Sequence, residues 1–334
     1  MTRAIAAGTR VRCATSPNPW VGAVLRAADG RMFEGSTEPP GGAHAEVVAL
    51  AAAGDGARGA TLYVTLEPCN HTGRTAPCVD AIVAAGVARV VVGTEDPDPS
   101  VAGGGIDALR AAGIEVTVGV QAEQVRNQLR AYLQHRRTGR PHVVLKLAAT
   151  LDGATAAPNG TSKWITSLEA RADGHRLRAE SDAILVGAGT IRRDDPSLTV
   201  RDYRPPVMPD GGSVDPLRVV LGSVAADATV RPCHEASGAL TDVLDDLGSR
   251  GVLQLLVEGG ASVAGDFHRA GLVDRYVIYV APALFGGDDA RGLFGGAGAW
   301  DISELWRGSF VAVERVGTDL RIEMVPVGRD GSDR

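Results

Sequence analysis

Ala60-Thr61-Leu62-Tyr63-Val64-Thr65-Leu66-Glu67-Pro68-Cys69-Asn70-His71-Thr72-Gly73-Arg74-Thr75-Ala76-Pro77-Cys78 reads as a short apolar strand that runs out into two cysteines. Cys69 falls just past the strand end, the usual place for sites in open α/β sheets. Cys78 falls at a predicted helix N-terminus, behind Pro77. The helix dipole there, together with a metal, favours thiolate over thiol. Upstream stands His44-Ala45-Glu46, preceded by Gly41-Gly42. Residues two apart on a helix face different ways, so His44 and Glu46 do not converge in mid-helix. The two glycines put them in the first turn, where the backbone is only half helical. His44, Cys69 and Cys78 then supply three of the four ligands that tetrahedral zinc prefers, with one position open for water. An open position marks a catalytic centre, and Glu46 is the carboxylate left over to move protons.

Outward from this stretch, strands are expected at 21–26, 60–66, 89–94 and 115–120, with helices at 43–53, 78–85, 106–112 and 122–137. Gly54, Gly86 and Gly113 are placed as helix stops. The alternation implies a mainly parallel sheet covered on both faces. The basic turn 136–141 then marks a boundary, giving domains at 1–139 and 140–334. In the second half, strands are expected at 142–148, 183–186, 217–221, 254–258 and 275–281. Thr166-Ser167-Leu168-Glu169 has the form of a capping box opening a helix to about 180. The stretch 201–216 reads as a loop, and no clear strand is expected between 221 and 254.

Composition narrows the function classes. The 334 residues fit two domains at about 150 residues each. Hydrophobic residues at 44% and charged residues at 22% are a globular balance. Net charge is −6 and aromatics are 4%, which argues against a phosphate backbone or stacked bases as partner. Four cysteines make no disulfide framework, and Cys13 and Cys233 stand alone as plain structural residues. No apolar run approaches the roughly 18 residues of a membrane span, and the N-terminus has no signal-peptide form, so a cytoplasmic location is expected.

Two strand–glycine–helix junctions stand out in the second half, Val186-Gly187-Ala188-Gly189-Thr190 and Val257-Glu258-Gly259-Gly260-Ala261-Ser262. Glycines let the backbone approach a phosphate, and the following helix start offers free N–H groups. Neither is the full dinucleotide fingerprint, and taken singly each is an ordinary tight turn.

His44-x-Glu46 followed by Pro68-Cys69 and Cys78 matches the zinc-deaminase signature in order, but eight residues separate the cysteines where that signature has two. His71 lies inside this insert and is a rival ligand. With Pro17-Asn18-Pro19, Val21-Gly22 and Asp96-Pro97-Asp98-Pro99, the first half resembles the bifunctional riboflavin-biosynthesis family, a pyrimidine deaminase fused to a 5-amino-6-(5-phosphoribosylamino)uracil reductase. Leu145-Lys146-Leu147-Ala148, Leu151-Asp152-Gly153, Trp164-Ile165-Thr166-Ser167, 194–201 and Val257-Glu258-Gly259-Gly260 extend the resemblance over the second half.

The resemblance implies an α/β chain, with a cytidine-deaminase-like three-layer α/β/α domain followed by a dihydrofolate-reductase-like α/β domain. It implies one Zn²⁺, NADPH, a small pyrimidine ribose-phosphate substrate and a homodimer. By it, Asn18, His71 and Arg74 touch the deaminase substrate. In the reductase, Ala148, Trp164, Thr190, Asp194, Ser223, Gly260, Ala261, Ser262, Val263, Ala264, Gly265 and Asp266 line the cofactor. Ser162, Arg178, Leu198, Arg201 and Glu258 line the substrate, Arg178 and Arg201 suiting a phosphate because guanidinium binds it bidentately. Lys146 and Asp195 are candidates for proton delivery. Two rivals stand beside this reading: a nucleoside or nucleic-acid base deaminase fused to an unrelated nucleotide-binding module, and a zinc-stabilised scaffold with a closed four-ligand site.

Overall fold

The computed structural model describes residues 1–71, 76–99 and 101–327. The chain divides into two compact units, Met1–Gly139 with Pro205–Val214, and Arg140–Arg204 with Asp215–Arg334.

The first unit runs α1 (Thr2–Arg10), β1 (Gly22–Arg26), β2 (Met32–Ser36), α2 (Ala45–Ala53), β3 (Thr61–Leu66), α3 (Cys78–Ala84), β4 (Arg89–Thr94), α4 (Gly104–Ala111), β5 (Glu115–Val118) and α5 (Ala122–Thr138). Its sheet has the order β2-β1-β3-β4-β5. Only β3, β4 and β5 run parallel, while β1 is antiparallel to both neighbours. The mainly parallel sheet expected from the alternation is therefore a mixed one. The reason is local: Ala27 N–H donates to Arg31 O across a tight turn, and so short a turn can only make a hairpin. Helix α1 packs with α5, and α3 with both α2 and α4, giving the two outer layers.

The second unit runs β6 (His142–Thr150), β7 (Ala154–Ala156), α6 (Leu168–Ala179), β8 (Ala183–Gly187), α7 (Ala188–Asp194), β9 (Leu217–Leu221), β10 (His234–Ala236), α8 (Leu240–Ser249), β11 (Gln254–Val257), α9 (Ala261–Arg269), β12 (Arg275–Ala281), β13 (Arg291–Gly292), β14 (Gly308–Val316) and β15 (Asp319–Pro326). An eight-stranded sheet has the order β10-β9-β8-β11-β6-β12-β15-β14, parallel from β10 through β12. The hairpin β14–β15 closes one side antiparallel to β12.

Strand parity divides the two cores. Val143, Leu145 and Leu147 pack with Leu244, Leu247 and Phe267 of α8 and α9. Val144 packs on the other face with Ala170 and Leu177 of α6. Successive strand residues face opposite ways, so Lys146 and Ala148 share the α6 face with Val144. The stretch between 221 and 254 does hold a strand, the three-residue β10, and helix α8 after it. The cap of α6 is Ser167 and not Thr166: Ser167 Oγ accepts Ala170 N–H at 3.2 Å. Thr166 is held outside the helix, its carbonyl accepting Arg171 Nη1, while Ser167 N–H donates to Asp319.

Candidate functional site

Four local features assemble the centre of the first unit. His44 is the extended N-cap of α2, at φ −76° and ψ 160°, and Glu46 lies in that helix's first turn. The kink at His44 is what lets side chains two apart point to one place. Cys78 opens α3 directly behind Pro77, and Cys69 lies past the end of β3. The ligand atoms of His44, Cys69 and Cys78 all lie within 4.8 Å of one another. His44 Nδ1 stands 3.1 Å from Cys78 Sγ and 3.5 Å from Cys69 Sγ. Cys78 N–H donates to Cys69 Sγ at 3.4 Å, a helix-start donor on a sulfur.

The electrostatics suit a cation. The hydrogen bonds from Cys78 and then from His44, against burial, hold the Cys69 thiol far below its ordinary value. The hydrogen bond to Cys69 and burial push the Cys78 thiol up. A divalent cation among the three donors would favour both sulfurs as thiolates. The donor set, one imidazole and two thiols that form no disulfide, fits zinc. Glu46 is only 4% exposed, and burial pushes its carboxyl up to about 7. It is not one of the three clustered ligands. His71 is exposed and outside the cluster, Asn18 is half-buried in the turn before β1, and Arg74 lies outside the described residues.

In the second unit the functional candidates gather at the C-terminal ends of parallel strands. Gly187 ends β8 and caps α7, Glu258 follows β11, and Gly260 caps α9. Strands β8 and β11 are neighbours, so the two glycine junctions meet: a Cβ on Gly260 would stand 3.7 Å from Thr190 Oγ1, and one on Gly259 would stand 2.5 Å from Val263. Ser223 is exposed just past β9, beside Gly222 at φ +101°. Asp194 and Asp195 end α7.

Across this edge Arg178 grips Glu258 through two N–H···O bonds of 2.8 Å and donates a third bond to Thr199 O. Burial alone would raise the Glu258 carboxyl, but the charges of Arg178 and Lys146 carry it down to about 2. Glu258 thus takes the bidentate face of Arg178 that a phosphate was expected to use. Arg201 is exposed and donates from Nη1 to Ser197 and Thr199. Its backbone N–H donates to Nδ1 of buried His175, which no sequence signal had singled out. Lys146 lies on the same face, its Nζ 5.7 Å from the Tyr279 ring centre. Asp195 is not drawn into this group, since Thr229 N–H and Oγ1 donate to its two oxygens.

A cavity of about 320 Å³ is lined by Ser162 and Trp164 with Thr150, Thr161, Lys163, Ile165, Ala283, Leu284 and Phe285. Trp164 holds φ +73° and is 74% exposed, with the Arg171 guanidinium 4.4 Å from its ring. So bulky a residue in the left-handed region is strained, and such strain collects at ligand sites. Leu198, also left-handed, is buried in the α6-side core.

Residues 1–94 match the cytidine and deoxycytidylate deaminase zinc-binding region, and residues 141–322 match the RibD C-terminal domain. The riboflavin biosynthesis protein RibD of Mycobacterium tuberculosis is 44% identical over 341 residues, covering 97% of this chain and 96% of the relative. The chain belongs to the RibD family. The Escherichia coli RibD is 40% identical and covers 97% of this chain and 98% of its own length. Among solved structures, Acinetobacter baumannii RibD superposes with a TM-score of 0.90 at 36% identity, over 98% of this chain and 97% of that one. A Thermotoga maritima diaminohydroxyphosphoribosylaminopyrimidine deaminase/5-amino-6-(5-phosphoribosylamino)uracil reductase gives 0.85 at 34% identity, over 98% and 97%. The RibD fold, mixed α/β with a deaminase-like first unit and a RibD reductase second unit, is the fold seen here.

Proposed function

We propose that the chain carries out two consecutive steps of riboflavin biosynthesis on one small pyrimidine ribose-phosphate. Residues 1–139 hydrolyse the 2-amino group of 2,5-diamino-6-ribosylamino-4(3H)-pyrimidinone 5′-phosphate, and residues 140–334 reduce its ribosyl group to the ribityl chain. The observation that carries this reading is the His44–Cys69–Cys78 cluster with buried Glu46 beside it, in a chain matched end to end by RibD proteins. When bound, zinc supplies a Lewis acid that acidifies water, and NADPH supplies the hydride.

The chain's own residues do the rest. His44, Cys69 and Cys78 hold the metal. Glu46, poised by burial near neutral pH, takes a proton onto its carboxylate, passes it to a ring nitrogen, and then serves the departing ammonia. In the second unit, Gly259 and Gly260 let the cofactor's phosphates approach the start of α9. Ala148, Trp164, Thr190, Asp194, Ser223 and 261–266 line the same cofactor. Arg201 meets the substrate phosphate, while Arg178 and Glu258 brace each other at the substrate's edge. Lys146 delivers the proton as the ribose ring opens.

No helix among the described residues is long and apolar enough to cross a membrane. A cytoplasmic location follows from the chemistry, since a reducing compartment keeps Cys69 and Cys78 available to metal. A homodimer, carried by the family resemblance, is checked by light scattering. The test of function is incubation with the diaminopyrimidine phosphate followed by mass spectrometry. Without NADPH an amino group should be exchanged for hydroxyl, and with NADPH two hydrogens should be added. Unchanged substrate under both conditions overturns the proposal.

A further inference from the structure

The Glu67-Pro68-Cys69 run contains an acid that neither the ligand set nor the proton path uses. Glu67 is 4% exposed. Its Oε1 accepts Gly105 N–H at 3.0 Å and Ile106 N–H at 3.1 Å, and its Oε2 accepts Gly103 N–H at 3.1 Å and Asp96 N–H at 3.3 Å. An ionised carboxylate offers about four lone-pair sites, and all are spent on one loop and the first turn of α4. Glu67 N–H in turn donates to Thr94 O, at the end of β4. One side chain therefore ties together the ends of β3 and β4 and the start of α4.

The contact continues to the ligand through a single peptide. A Cβ on Gly105 would stand 1.8 Å from Pro68 O, so α4 begins directly on the carbonyl that precedes Cys69. On its other side, Cys69 O accepts Val79 N–H at 3.3 Å and Cys69 Sγ accepts Cys78 N–H. Cys69 is clamped between the starts of two helices, and the charge that seats one of them is Glu67. We propose that Glu67 is a positioning residue of the metal centre, fixing Cys69 through the Pro68 peptide. An ordinary cap comes from the chain just before its helix, whereas this carboxylate lies 38 residues before Gly105 and two before a ligand.

The inference rests on the reading of His44, Cys69 and Cys78 as ligands, so Cys78→Ser is measured alongside. The full chain is prepared as wild type, Glu67→Gln, Glu67→Asp and Cys78→Ser, each loaded with cobalt(II). Chelator competition gives metal affinity, the thiolate-to-cobalt absorption band gives ligand geometry, and reductase turnover serves as the internal control. Outer partners of metal ligands are worth about 10–100-fold in affinity, and Glu67→Gln should lose that much and shift the band while the reductase is unchanged. Glu67→Asp keeps the charge but draws it back by one methylene from the start of α4, and it should shift the band as well. It serves as the deciding variant should Glu67→Gln fail to fold. A folded Glu67→Gln, or Glu67→Asp in its stead, with wild-type affinity and an unmoved band makes Glu67 a cap and nothing more. Metal fully retained in Cys78→Ser overturns the ligand reading itself.

Discussion

Replacing Glu258 with Gln is expected to cost the second unit about 3 kcal/mol at neutral pH and to remove a defined part of its acid sensitivity. Arg178 and Glu258 are 16% and 11% exposed and joined by two bonds of 2.8 Å. The carboxyl sits at about 2 instead of an ordinary 4.5, and that difference converts to about 3 kcal/mol. Its folded value lies below its unfolded one, so the contribution is whole above about 4.5 and fades as pH falls towards 2. Wild type and Glu258→Gln should therefore differ by a constant amount from pH 8 to about 5 and converge below. Arg178→Met should cost at least as much, roughly 3–5 kcal/mol, because it strands a buried charge. The double variant Arg178→Met/Glu258→Leu should recover much of the loss. Urea unfolding of the full chain in a Trp20→Phe background reads this directly, since the remaining tryptophans, Trp164, Trp300 and Trp306, all belong to the second unit. A Glu258→Gln curve parallel to wild type across the whole acid range would refute the reasoning.

Glu46→Gln should keep its zinc by elemental analysis yet lose about 10²–10⁴ in deamination rate, with reduction of already deaminated substrate near wild type; lost zinc would make Glu46 a ligand or a support. Cys78→Ser should lose zinc, whereas Cys13→Ser and Cys233→Ser should keep it, because neither lies in the ligand cluster. Gly259→Ala should destabilise the second unit by about 1–3 kcal/mol in the same urea assay, and Val263→Ala should not rescue it, because Val263 Cβ itself would stand 2.5 Å from the new Cβ. The reductase should prefer NADPH to NADH, and exposed Arg192 and Arg193 at the end of α7 are the charges to test by alanine; equal kcat/KM for the two cofactors would remove the claim.

What the sequence disclosed depended on whether the signal was local. Strands 89–94, 217–221 and 275–281 have the same bounds in the structure, because each is a compact apolar run bordered by turn residues. Gly54, Gly86 and Gly113 all hold positive φ where the helices stop. Helix α1 was not expected: its buried face is Ala4, Ala7 and Gly8, small residues without the large apolar side chains that mark a core-facing helix. Strands β2 and β14 lie at sheet edges and are mostly exposed or half-exposed, so neither carries the continuous apolar run of a buried strand. The ligand set was legible because few residue types bind zinc and their flanks are distinctive. Arg178 and Glu258 are 80 residues apart, and nothing in either neighbourhood announces that they hold each other. Glu67 was in plain view inside the motif, but its partners at 96 and 103–106 exist only once β3 and β4 are side by side.

The alternation along β6 gives that strand something like a reading frame. Positions 143, 145 and 147 feed one core, while 144 feeds the other, which Ala148 borders, and Lys146 shares that second side. Deleting a single residue before Lys146 would leave composition almost untouched, but it would turn the ammonium into the packing around Phe267 and send leucines to the α6 side. Tolerance to substitution and tolerance to length change should therefore part company here. Conservative exchanges at 143, 145 and 147 ought to accumulate freely, and insertions or deletions ought to be confined to the loops beyond Thr150, where the chain can change length without changing sides.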